Sequence, residues 1–160
     1  LLPGVGTFPI AMHNLNSSGL SSFLQDQASK DRSIIGICLG MQLLAESSWE
    51  VDHTNGLGII PGTFISLPDN RWHIGWNSLD VLQQGNLLLD SDKQVVYFNH
   101  SFAYSGPDKY ILINSYIGES NFRIPAAIGK GNVIGLQFHP EKSQAAGLNL
   151  LSNLLHHITL

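Results

Sequence analysis

The spacing of apolar residues along the chain changes twice between its ends. Leu1-Leu2 reads as the end of a strand, stopped by the turn-rich "PGVG" of residues 3–6. Residues 8–29 carry Ile10, Leu15, Leu20, Phe23 and Leu24 at helical spacing, broken at Ser17-Ser18-Gly19, which predicts an interrupted helix. A short apolar run over 33–37 predicts a strand, and 39–46 predicts a helix with no Gly or Pro after Gly40. "GLGIIPGTFISLP" (56–68) reads as a turn followed by a strand.

Beyond residue 90 the pattern turns to strands. "VVYFNH" (95–100), "YILINSY" (110–116) and "NVIGLQF" (132–138) are rich in β-branched and aromatic residues and bounded by Gly, Pro or polar clusters. Pro125 limits "FRIPAAIG" to an edge strand or an interrupted one. Leu148, Leu151, Leu155 and Ile158 recur at helical spacing, widened by Leu150 and Leu154, and predict a closing helix with Ser143 as its N-cap. Helices early, strands late and a helix at the end predict a single α/β sandwich domain with a mixed sheet, with no internal repeat or linker.

Composition narrows the classes. In 160 residues, 43% are hydrophobic and 12% charged, well below the roughly 25% charged of an average domain, so the chain is not of the disordered type. A net charge of −4 without a Lys/Arg cluster argues against a nucleic-acid binder. One cysteine cannot form an internal disulfide. No apolar run approaches the ~20 residues of a membrane span, no signal peptide is visible, and the cytoplasm is the default compartment. The sequence opens at Leu1 without a Met, which reads as a chain cut from something longer.

That one cysteine sits in "GICLG". Free Cys is among the most buried residue types, so the residue alone points to no chemistry. Its flanks do: Gly36, Cys38 and Gly40 have the spacing of a nucleophile elbow, where a strand turns abruptly into a helix. Residues two before and two after the nucleophile approach each other there, and glycine relieves the clash. The turn aims the Leu39 N–H at the reacting centre, and the helix N-terminus is expected to lower the thiol pKa. A base is available in "FHPEKS": in an extended segment His139 and Glu141 project to one side, stiffened by Pro140, as a carboxylate-oriented imidazole or as an ordinary surface pair.

"LPGVGTF", "GICLGMQLL", "RWHIGWNSL", "YFNHSF" and "GLQFHPEKS", in this order, resemble the class I (triad) glutamine amidotransferases over essentially the whole chain. "PGVG" and "GWN" with "HPEKS" are narrower and resemble the glutaminases that feed a cyclase in histidine biosynthesis. The resemblance implies a three-layer α/β sandwich with a mixed central sheet and a nucleophile elbow. It implies glutamine hydrolysis to glutamate and ammonia, no cofactor, no metal, and a (β/α)8-barrel cyclase partner, in a heterodimer, that makes imidazole glycerol phosphate.

By position, the resemblance makes Cys38, His139 and Glu141 the catalytic triad. Gly4 and Val5 become the oxyanion strand, with Leu39 as the second donor. Gly6, Gln42, Glu50 and Ser101 become the glutamine pocket, and Trp76, Asn77 and Tyr97 residues at the partner. Two alternatives stand beside this reading: a sister glutaminase supplying ammonia for acetamidino-sugar synthesis, and a non-catalytic binding module on the same fold. Trp72 stands where the family has Pro, and Phe102 where it has Tyr. The family's first strand, helix and second strand are missing, which predicts an uncovered sheet edge.

Overall fold

A computed structural model describes residues 1–82, 88–118 and 122–158. Its elements are α1 (Phe8–Ser17), α2 (Leu20–Ser29), β1 (Ile34–Ile37), α3 (Leu39–Leu43), β2 (Ala45–Ser48), β3 (Thr54–Asn55), β4 (Ile60–Ser66), β5 (His73–Ser78), β6 (Asp80–Val81), β7 (Val95–His100), β8 (Phe102–Ser105), β9 (Ile111–Ile117), β10 (Phe122–Lys130), β11 (Val133–Leu136) and α4 (Gln144–Ile158). Among the described residues no helix is long and apolar enough to cross a membrane.

The main sheet runs β1-β11-β10-β9-β6 and is mixed: β1 and β11 are parallel, the other pairs antiparallel. Alternation along β1 and β11 sends successive side chains to opposite faces. Ile34 and Val133 join Phe8 and Met12 of α1, with Leu24 and Ala28 of α2 packed alongside. Ile35 and Ile134 join Leu150 and Leu154 of α4. The sheet is therefore the middle of three layers, as the resemblance implied. A second sheet, β3-β2-β4-β8, and a two-stranded ribbon, β5-β7, complete the chain. At the β1 edge Leu2 forms a parallel bridge with Gly36: its N–H donates to Ile35 (2.7 Å) and its carbonyl accepts from Ile37 (3.0 Å).

Four expectations need correction or a choice between alternatives. The helix predicted over 39–46 ends at Leu43, and Ala45–Ser48 becomes a strand paired with β4. Met41, Leu43, Leu44 and Ala45 are all buried, so their pattern carries no period that separates helix from strand. Of the two readings for the strand containing Pro125, the interrupted one holds: the strand lies inside the sheet and not at its edge. The pairing slips between Pro125 and Ala127, so the missing N–H falls at an irregularity in the ladder. In α1 and α2, Ile10, Leu20 and Phe23 face solvent, while Phe8 and Met12 are buried.

The fourth correction concerns the closing helix. Leu150 and Leu154 are buried, while Leu148 and Leu155 are exposed; the side chain of Ile158 lies outside the described residues. Both leucine rows have helical spacing, and Gly147 selects between them. A Cβ there would lie 2.2 Å from the carbonyl oxygen of Pro140, so only the glycine row can close on the preceding turn.

Candidate active site

Cys38 sits between β1 and α3 with φ 52° and ψ −107°, a conformation that few non-glycine residues hold. A Cβ on Gly36 would meet the backbone of Gly40 at 2.6 Å, which is the predicted close approach across the elbow. A Cβ on Gly40 would lie only 1.7 Å from the Leu2 carbonyl oxygen. The glycines thus admit two approaches: the elbow on itself, and the "LLPGVG" segment onto the elbow. Gly4 lies against the Leu39 side chain, where a Cβ would make contacts of 3.3 Å. Val5 is almost fully exposed, and Gly6 has φ 96°.

The Cys38 thiol donates to the Asn99 carbonyl (3.8 Å) and accepts from Nε2 of Gln137 (3.9 Å). Burial pushes this thiol up to about 11, helped by the nearby Glu141 charge. The Leu39 N–H, Lys142 and the Gln137 amide work in the other direction but do not overcome it. The expected lowering is therefore overturned: α3 has five residues, too few for a strong helix field, and desolvation dominates.

His139 Nδ1 lies 2.7 Å from Oε1 of Glu141. The two are paired as expected but not by strand alternation. Pro140–Lys142 is a 3-10 turn, closed by Lys142 N–H to the His139 carbonyl (3.0 Å). A carboxylate at Nδ1 places the proton on that nitrogen and leaves Nε2 as the basic one.

The edge of β7 opposite β5 receives both the Cys38 and the His139 segments. In a strand the N–H and C=O of residues two apart point the same way. β5 occupies one edge of β7. On the other, the Tyr97 carbonyl accepts the His139 N–H (2.9 Å) and the Asn99 carbonyl accepts the Cys38 thiol. Two residues of strand are about 6.6 Å, so the segments bearing thiol and imidazole are moored at adjacent rungs.

The remaining predicted residues fall as follows. Glu50 follows β2 and accepts the Phe8 N–H at 2.7 Å, capping α1 two residues after Gly6; one carboxylate oxygen is thereby occupied. Gln42 is buried on α3, with its Nε2 donating to Oε1 of Gln137 (3.4 Å). Ser101 is half-buried at the corner between β7 and β8. Trp76 and Tyr97 face each other across the ribbon at 5.7 Å between ring centroids, with Trp76 half exposed. Asn77 turns inward: Oδ1 lies 2.7 Å from His73 Nε2, and Nδ2 donates to the Tyr116 carbonyl (2.8 Å).

Sequence reasoning missed several groups. Gln137 is a fully buried amide in an apolar run, two residues before His139, and that position was the available signal. His73 Nδ1 lies 2.9 Å from His100 Nε2, and His100 Nδ1 lies 2.8 Å from the Phe102 carbonyl. Burial lowers both, His100 to about 3, so both rings are neutral at neutral pH. Ser143 precedes α4 as expected, but its hydroxyl does not cap the helix. It accepts from Tyr97 N–H (2.9 Å) and donates to the His139 carbonyl (2.6 Å).

The family description "Glutamine amidotransferase class-I" matches residues 1–158. "Imidazole glycerol phosphate synthase subunit HisH" of Streptococcus gordonii is 43% identical over 162 residues, covering 99% of this chain and 77% of that protein. The protein of the same name from Listeria monocytogenes is 44% identical over 155 residues, covering 94% and 73%. Among solved structures, PurLQS from Thermotoga maritima superposes with a TM-score of 0.66 at 18% identity, covering 87% of this chain and 68% of that one.

Proposed function

The chain belongs to the class I glutamine amidotransferases, and on that premise we propose that it is the glutaminase subunit of an imidazole glycerol phosphate synthase, working through Cys38, His139 and Glu141. The observation that carries this reading is the shared mooring on β7: a thiol on a strained elbow and a carboxylate-paired imidazole at adjacent rungs. The HisH name shared by relatives above 40% identity supports histidine biosynthesis over acetamidino-sugar synthesis. The intact Cys-His-Glu set speaks against a non-catalytic module.

A thiol held up to about 11 is protonated at neutral pH, so attack requires a proton acceptor. As Sγ bonds to the side-chain amide carbon of glutamine, Nε2 of His139 takes the thiol proton. The C–N bond then breaks, and the imidazolium returns that proton to the departing ammonia. A γ-glutamyl thioester remains. His139 next takes a proton from water as its oxygen bonds to the thioester carbon; the C–S bond breaks, glutamate leaves, and the imidazolium returns the proton to the Cys38 thiolate. Glu141 fixes the tautomer and stabilises the imidazolium. The Leu39 N–H and a backbone N–H of Gly4-Val5 hold the oxyanion, each worth about 3 kcal/mol.

Glu50 offers a carboxylate to the substrate ammonium, with Gly6, Gln42 and Ser101 lining the pocket. Ammonia passes to a (β/α)8-barrel cyclase docked near the Trp76–Tyr97 pair, of which Trp76 is exposed. The test is glutamate release by Cys38→Ala and His139→Asn in complex with the cyclase. Both should lose turnover while still binding the partner. Parent-like turnover by either would overturn that residue's role.

A further inference from the structure

We infer that Ser143 is a positioning residue for the base: its hydroxyl ties the His139 turn to the edge of β7 opposite β5 and so fixes the distance between imidazole and thiol. The inference rests on the assignment of His139 as the base.

Among the described residues β7 has a strand partner, β5, on one edge. On the other edge, Tyr97 makes the two hydrogen bonds that a strand partner would make. Its carbonyl accepts the His139 N–H (2.9 Å), and its N–H donates to Ser143 Oγ (2.9 Å). The same Oγ donates to the His139 carbonyl (2.6 Å). Tyr97, Ser143 and His139 thus close a ring in which the hydroxyl acts once as acceptor and once as donor. Only a group with both capacities completes it, which a Ser hydroxyl has and a methyl lacks.

The surroundings hold that hydroxyl in place. Ser143 is 1% exposed, so water does not compete for either bond. A Cβ on Gly147 would lie 2.5 Å from the Ser143 Cβ, so α4 presses against it from behind. Glu141 controls the ring orientation and tautomer, whereas Ser143 controls where the backbone of His139 stands. Asn99, two residues along from Tyr97, touches the thiol. A turn that slips along β7 therefore carries the imidazole away from Cys38 without disturbing the His139–Glu141 pair.

The test uses the glutaminase–cyclase complex, and melting temperatures confirm that the variants fold. Ser143→Ala should lower kcat for glutamate release by about a hundredfold, the loss typical of a ~1 Å misplacement, with KM changed by less than about threefold. Ser143→Thr keeps the hydroxyl and should retain kcat to within about fivefold. Alkylation of Cys38 by iodoacetamide gives a second readout. Ser143→Ala should slow it in the parent and leave it unchanged in a His139→Asn background, because Ser143 acts only through that imidazole. Parent-like kcat in Ser143→Ala would overturn the inference, as would an equal slowing of alkylation in both backgrounds, or a folded Ser143→Thr as inactive as the Ala variant. Full turnover by His139→Asn would instead overturn the base assignment, a separate result that needs no Ser143 variant.

Discussion

Gly40→Ala is expected to separate catalysis from stability. The new Cβ would lie 1.7 Å from the Leu2 carbonyl oxygen, where such contacts do not fall below 3.0 Å, so Leu2 must retreat by about 1.3 Å. Leu2 cannot yield through a flexible side chain, since the clashing atom is backbone. Its retreat weakens the bonds from Leu2 N–H to Ile35 and from Ile37 N–H to Leu2, together worth about 2 kcal/mol. Ala is a better helix former than Gly by about 1 kcal/mol, and Gly40 lies within α3, so the net loss of stability is about 1 kcal/mol. Catalysis has no such offset. The displaced segment carries Gly4 and Val5, and on their proposed oxyanion role the loss of one donor removes about 3 kcal/mol, or about a hundredfold in rate. Steady-state glutamate release should show kcat falling by that factor, with the glutamine KM nearly constant. A folded Gly40→Ala enzyme with kcat within about threefold of the parent would refute the contact between "LLPGVG" and the elbow as a determinant of rate.

Three further outcomes follow from burial and charge. Iodoacetamide alkylation of Cys38 in the isolated chain should keep rising above pH 9 toward about 11, and a plateau near pH 8 would show that burial does not govern the thiol. Because His73 and His100 are held below 6.5, the unfolded chain takes up protons that the folded chain refuses; stability is full above pH 6.5 and falls below it. The slope is about 1.4 kcal/mol per pH unit per proton, and a flat urea midpoint between pH 6.5 and 5 would contradict the buried neutral pair. Leu154→Ala should cost about 2–5 kcal/mol, whereas Leu148→Ala should stay within about 0.5 kcal/mol; equal costs would show that the inner row of α4 is misassigned.

The elements legible in the sequence were those whose pattern had a single physical reading. β7, β9 and β11 are rich in β-branched and aromatic residues between bounding turns, and the chain forms strands there as expected. The elbow was legible because its glycines answer a steric demand of the backbone, and the close approach of Gly36 to Gly40 is that demand. Where every position is buried, as over 41–45, periodicity vanishes and pairing with a distant strand decides the outcome. α4 misled for a different reason: two leucine rows fit one helix, and only the approach of Gly147 to Pro140 selects between them. Cys38, His139 and Glu141 were legible as residue types at given spacings. The direction of the thiol shift was not, since desolvation depends on what packs around the sulfur. The roles of Gln137 and Ser143 lie in contacts across about 100 and 46 residues of sequence, which no local pattern encodes.

The parallel bridge of Leu2 to Gly36 makes residues 2–4 a ruler for the elbow at Cys38. The bridge fixes Leu2 against β1, and two residues further on Gly4 lies against the Leu39 side chain at the elbow. On the proposed roles, the separation of the Gly4-Val5 donor from the sulfur is set by the length of chain after Leu2. Side-chain changes at Pro3 or Val5 leave that length intact, whereas one residue inserted between Leu2 and Gly4 shifts the Gly4-Val5 peptide by about 3.3 Å, more than the length of a hydrogen bond. A segment that looks like a permissive loop is, in length, among the least permissive in the molecule.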